Sequence, residues 1–241
     1  MNPDPLIFLY NYKNVADREI VGLIAATLAY GRVAQIIKDV EKVLSIMGKT
    51  PKNYLTNTPD NEIKESLRGF KHRFTTDEEM SALLLAIKQV IKNYGSLEAL
   101  FIDKFKSSDQ NILPALAHFI QMLKKYAKTQ KSTLLSDPQM GSACKRLNLF
   151  LRWMVRSDAV DPGGWKNIPP SKLIIPLDTH MFYFGKCYGF TKRNSADLKT
   201  AIEITNGFKE LCPTDPVKYD FALTRFGIRN DMCWENFNNI A

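Results

Sequence analysis

An amine and a carboxylate 33 residues apart, Lys145 and Asp178, are the pair in this sequence best suited to covalent chemistry. Lys145 opens the run KRLNLFLRWMVR, and Asp178 follows the apolar Ile174-Ile-Pro-Leu177. A lysine amine that is partly desolvated, or set among other cations, has a lowered pKa and becomes a nucleophile. A carboxylate beside it can accept the proton the amine gives up. An ordinary salt-bridged lysine is the competing reading of Lys145. Asp178 also suits a simpler role, the N-cap of a helix running to about Tyr188 with Thr179 and His180 in its first turn. The two roles are compatible, because an acid at a helix N-terminus stays ionised and firmly aimed.

These residues need elements to place them. If residues 143–156 are helical, Lys145, Asn148, Arg152 and Arg156 recur at i, i+3, i+7 and i+11 and make one polar stripe. Leu147, Phe150, Leu151, Met154 and Val155 cover the rest of that helix, which therefore belongs at the centre of the fold, with its stripe lining an interior groove. Trp165, in the loop Asp161-Pro-Gly-Gly-Trp-Lys166, either stacks on a base or pins the loop. His180 is equally a structural hydrogen-bonder or a functional group.

The surrounding chain is helical in pattern. Arg18–Met47 has helical apolar spacing interrupted near Tyr30-Gly31-Arg32, with Asp17 as N-cap. Gly31 marks either a simple turn or a junction where the backbone comes close to something else. Pro51–Asp60 reads as a linker or short turn, and Arg68–Phe74 interleaves basic residues with Phe70 and Phe74, as a phosphate-binding or a solvated, salt-bridged face would. Helices follow over Asp77–Tyr94, Ser96–Phe105, Asp109–Tyr126, Ser195–Leu211 and Thr214–Arg225. The second-to-last is capped by Ser195, and Gly227 lies beyond the last. The run Lys124, Lys125, Lys128, Lys131 is a helix-end charge match or a nucleic-acid contact. Trp234 and Phe237 are expected to dock the tail. Strand-like sequence is confined to Leu173–Ile175, so the expected class is all-α.

At 241 residues and 45% hydrophobic composition, the chain can bury a substantial core, and a net charge of +8 favours a polyanionic partner. No apolar run is long enough to cross a bilayer. The start MNPDPLIFLYNYKN lacks the basic opening and apolar stretch of a secretory signal, which points to the cytoplasm. Cys144, Cys187, Cys212 and Cys233 lack the CxxC spacing of metal or cluster sites, so free thiols and no metal or other cofactor are expected.

Pro176-Leu-Asp-Thr-His180, followed by an apolar run and Gly189, resembles the V-D-T-H segment of the helix-hairpin-helix DNA glycosylase superfamily, the group of endonuclease III and the oxidised-guanine glycosylases. Glu19–Leu44 is similar to the opening helix pair of that group, and Arg68–Phe101, with Tyr94-Gly95-Ser96-Leu97, to its middle helices. The whole chain also resembles a family of bacterial proteins catalogued as a domain of unknown function, on Ala29-Tyr-Gly-Arg32, Lys145–Arg156 and Ile174–His180. The glycosylase resemblance implies two helical lobes with a cleft between them: residues 1–58 with 190–241 as a terminal lobe, and 59–189 as a central lobe carrying the site. It implies Asp178 as a catalytic residue. The superfamily's hairpin, L-P-G-x-G with the catalytic lysine just after it, is replaced here by Pro162-Gly-Gly-Trp165. The archaeal 8-oxoguanine glycosylases, whose lysine stands well upstream of the aspartate, are closest in layout and make Lys145 the nucleophile, with Lys166 as the fallback.

The implied function is a DNA base-excision glycosylase, with or without AP-lyase activity. It would flip a damaged base, an oxidised purine, out of double-stranded DNA. Arg32, Gln35, Arg68, Arg73, Asn148, Arg152, Arg156, Trp165, Lys166 and His180 would contact the substrate. The protein would act as a monomer associated with the nucleoid, without a membrane or a cluster. Two alternatives are a non-catalytic nucleic-acid-binding helical protein and a helical interaction protein with no nucleic-acid role.

Overall fold

The computed structural model describes residues 4–129 and 132–228. Lys131, Cys233, Trp234 and Phe237 lie outside the described residues. The chain is all-α. A 3-10 turn at Pro5–Asn11 is followed by α1 (Val15–Thr27), α2 (Val33–Met47), α3 (Pro51–Asn57) and α4 (Asp60–Ser66). A two-residue hairpin, β1 (Lys71–His72) and β2 (Thr75–Thr76), leads into α5 (Asp77–Tyr94), α6 (Leu97–Ile102) and α7 (Leu113–Tyr126). The chain continues through α8 (Lys145–Val155), α9 (Thr179–Cys187), α10 (Leu198–Leu211) and α11 (Asp220–Ile228).

Local chemistry sets these boundaries, and in several places it differs from the expectation. Asn14, not Asp17, caps α1 by accepting from the Ala16 N–H, and Asp17 instead accepts from the backbone N–H of Lys52. The expected linker at Pro51 is a helix, because proline at the first helical position loses no intrahelical bond. Thr76 caps α5, Asp197 rather than Ser195 caps α10, and α11 begins at Asp220 and runs through Gly227. The strand-like Leu173–Ile175 joins no β-ladder, and the Ile175 N–H donates to the Thr205 hydroxyl. The only β-ladder among the described residues is antiparallel, Lys71 with Thr76 and His72 with Thr75.

The buried apolar residues form one continuous cluster from Leu6 to Val217. α1 packs along α8, α5 lies against α7 with α3 and α4 on it, and α9 packs on α10 and α11. Glu19 of α1 ties three parts of this core together. Its carboxylate accepts from the backbone N–H of Leu97 (2.8 Å) and Glu98 (3.2 Å) at the start of α6, and from the Trp165 indole (2.9 Å). Burial pushes this carboxyl above its ordinary value, although all three hydrogen bonds pull the other way.

Candidate functional site

α8 begins after Cys144, a non-glycine residue in the left-handed region (φ 48°), so the chain turns sharply and puts Lys145 at the first helical position. Asp178 is the N-cap of α9: its Oδ1 accepts the Met181 N–H at 2.8 Å. The cap holds Oδ1, and Oδ2 stands 3.7 Å from the Lys145 Nζ. The side chain of Lys145 is 43% exposed and that of Asp178 15%, so the pair sits at a boundary between core and solvent. Burial pushes the neighbouring Cys144 thiol up to about 11, so it stays protonated at neutral pH and is a poor nucleophile.

The Lys145 side chain lines a cleft of about 590 Å³ together with Tyr30, Gly31, Gly141, Arg146 and Leu177. The three motif segments, Ala29–Arg32, Lys145–Arg156 and Ile174–His180, therefore converge here although they lie far apart in sequence. Tyr30 is firmly held. Its hydroxyl donates to the His72 carbonyl (2.9 Å) and is 2.7 Å from the Thr75 Oγ1, and the Arg146 guanidinium lies over its ring, 4.8 Å from the centroid. Arg146 also donates to the backbone carbonyls of Thr27 and Thr133. Behind Tyr30, the buried His72 faces Asp39 Oδ2 through Nδ1 (2.7 Å) and the Tyr30 carbonyl through Nε2 (3.1 Å). Burial pushes Asp39 up. The hydrogen bonds from Gln35 and His72, with the charges of His72 and Lys42, outweigh it and hold the carboxyl below its ordinary value.

The expected polar stripe on α8 divides. Lys145 faces the cleft, but Asn148, Arg152 and Arg156 are buried, and the phosphate contacts expected of these arginines are replaced by carboxylates. Arg152 donates to Asp161 (3.1 Å) and to Asp220, while Arg156 donates to Asp161, Asp215 (2.9 Å) and Asp158 (2.6 Å). A guanidinium enclosed in the interior is retained as an ion only with such partners. Asn148 donates to the Ala143 carbonyl, closing the helix start. Trp165, 2% exposed, packs between Phe101 and Phe150 and donates to Glu19. It pins its loop and has no face open to a base. Lys166 is exposed on that loop, where its backbone N–H donates to Glu98. Gln35 bonds both oxygens of Asp39, Arg68 pairs with Glu65, Arg32 is exposed at the start of α2, and His180 is half-buried in the first turn of α9. Arg73 lies against Gly31: a Cβ built there would stand 2.8 Å from its Cδ, the close approach that a glycine junction permits.

The structure adds Tyr30, Arg146, His72, Asp39 and Asp220 to the residues around the site. Arg146 had a visible signal, its adjacency to Lys145. The His72–Asp39 contact had none, because those residues are 33 apart and nothing in the sequence pairs them. Among the described residues no group of His, Cys, Asp and Glu is placed to hold a metal ion, and no helix is long and apolar enough to cross a membrane.

Residues 4–229 match the family described as "Protein of unknown function (DUF2400)", and the chain belongs to that family. No curated protein and no solved structure matches it.

Proposed function

We propose that this chain is a DNA base-excision glycosylase with AP-lyase activity, acting near the nucleoid on a damaged base flipped into the Lys145 cleft. One observation carries the reading: two segments 33 residues apart bring an amine and a capped carboxylate within 3.7 Å at a cleft edged by the cation Arg146. In this reaction the Lys145 amine attacks the anomeric carbon, the bond to the base breaks, and the base leaves with the electron pair. The proton released from the amine passes to Asp178. Opening of the sugar ring gives a Schiff base, and loss of a C2′ proton then breaks the C3′–O bond to the phosphate. Asp178 suits this role because its cap bond fixes one oxygen and leaves the other facing the amine. The net charge of +8 favours the polyanion.

A second reading, a nucleic-acid-binding protein without the chemistry, is favoured by the loop at Pro162–Trp165. Its Gly163 and Trp165 N–H groups donate to α8 carbonyls, and Arg18 caps the carbonyls of Pro162 and Gly163, so this loop is committed to the interior.

Borohydride trapping decides between them, on oligonucleotides carrying oxidised guanine, oxidised pyrimidine, uracil or an abasic site. The glycosylase reading expects a trapped adduct that disappears in Lys145→Gln and falls steeply in Asp178→Asn. An adduct that survives Lys145→Gln removes Lys145 as nucleophile. DNA binding with neither trapping nor base release establishes the second reading.

A further inference from the structure

The hairpin tip between β1 and β2 is the most exposed aromatic feature beside the cleft. Phe74 is 72% exposed, yet the strands that carry it are anchored: His72 is buried against Asp39, and the Thr75 hydroxyl is bonded to Tyr30. Arg73 takes a left-handed backbone conformation (φ 51°) unusual for a side chain of its size. A mobile tip could fold an aromatic ring back onto the surface, whereas this one holds it in water.

The tip is also linked to the cleft. The Arg73 guanidinium lies 5.5 Å from the Phe74 ring centroid and 6.0 Å from that of Tyr30, and on the far side of the chain of contacts Arg146 lies 4.8 Å from Tyr30. Aromatic and cation therefore alternate from Phe74 to Arg146, next to Lys145 in the cleft wall. Gly31 lets Arg73 lie close enough to complete this run. Lys71 adds exposed positive charge beside the same turn.

We propose that Phe74 is a stacking site for an unpaired nucleobase, with Arg73 and Lys71 meeting the adjoining phosphates. A π-face flanked by cations fits this ligand, because stacking is indifferent to base identity and the cations neutralise the backbone. The inference rests on the DNA reading above and adds a position outside the cleft at which the strand is held open.

The test uses the full chain and a duplex bearing a tetrahydrofuran abasic analogue, with 2-aminopurine opposite the gap, at fixed salt. Phe74→Ala is expected to weaken binding about ten-fold and to abolish the change in 2-aminopurine emission. Phe74→Trp is expected to restore both. The fully paired duplex should bind Phe74→Ala and the native chain alike. If the native chain binds the tetrahydrofuran duplex and is trapped by borohydride on a natural abasic site, while Phe74→Ala matches it in affinity and emission, this inference falls while the Lys145 reading stands. If the native chain binds no DNA, both fall.

Discussion

Arg152→Met tests whether the buried arginines of α8 are structural. The change keeps much of the apolar stem and removes the cation. Asp161 keeps Arg156, but Asp220, enclosed at the start of α11, loses the guanidinium bonded to its Oδ2. Breaking one side of a buried ion pair costs about 3–5 kcal/mol, a large part of the roughly 5–15 kcal/mol that holds a domain folded. The cost should depend on pH. Burial raises Asp220 from 3.8 to about 6, with Asp178 and Asp161 adding to the rise and Arg152 opposing it. A folded value above the unfolded one means that the folded chain holds this proton more tightly. The resulting stability is complete below 3.8 and is lost as pH climbs through about 6. Without Arg152 the folded value moves higher still, so the variant should lose more at pH 8 than at pH 5, read by urea unfolding followed by circular dichroism. Arg152→Met with Asp220→Asn should recover most of the loss, because neither charge is then left buried alone. A single-variant loss below about 1 kcal/mol, equal at both pH values and unrelieved in the double variant, would refute the reasoning. The same variant should leave the salt dependence of DNA binding unaltered, whereas loss of a phosphate contact would lower its slope by about 0.9.

Glu19→Gln puts an amide NH2 where a carboxylate oxygen now receives N–H groups, so at least one donor among Leu97, Glu98 and Trp165 is left facing another donor. The expected loss is about 1–3 kcal/mol, seen as a lower Tm together with a change in tryptophan emission; an unmoved Tm would show that these bonds do not hold α6. Gly31→Ala adds a Cβ at φ 100° that meets the Arg73 side chain. A cost of about 1–3 kcal/mol is expected from the backbone, with displaced Arg73 weakening oligonucleotide binding beyond what the lowered stability explains. Native-like urea unfolding and native-like affinity would contradict that.

Helices were legible where their signals are local. Periodicity marked α5, and the Asp178 cap could be placed from one acid ahead of an apolar run. The α1–α2 break was legible at Gly31. The hairpin at residues 71–76 was not, because two-residue strands carry no alternation and depend on tertiary anchors, His72 on Asp39 and Thr75 on Tyr30. The direction of Arg152 and Arg156 was hidden for a related reason. Spacing puts them on the same stripe as Lys145, but their environment comes from Asp161, Asp215 and Asp220, which reach α8 only through folding. Trp165 was open between two roles, and Glu19, an ordinary acid in the sequence, closed the question.

The two ends of α8 use similar residues in opposite electrostatic settings. At the C-terminal end, Arg152 lies in the last turn, where the helix dipole favours a cation, and carboxylates complete its surroundings. At the N-terminal end, Lys145 and Arg146 occupy the first turn, where the dipole disfavours cations by about 0.3–1 kcal/mol each. No acid shares that turn and no side chain caps it. The compensation is partial and comes from elsewhere, through Asp178 at 3.7 Å and the face of Tyr30. Local unfavourable placement supported by distant structure is what a site requires and a purely structural helix avoids. The Arg152–Asp220 contact ties α8 to α11, and α11 packs on the helix that Asp178 caps, so the ion network links the two helices that carry the amine and the carboxylate.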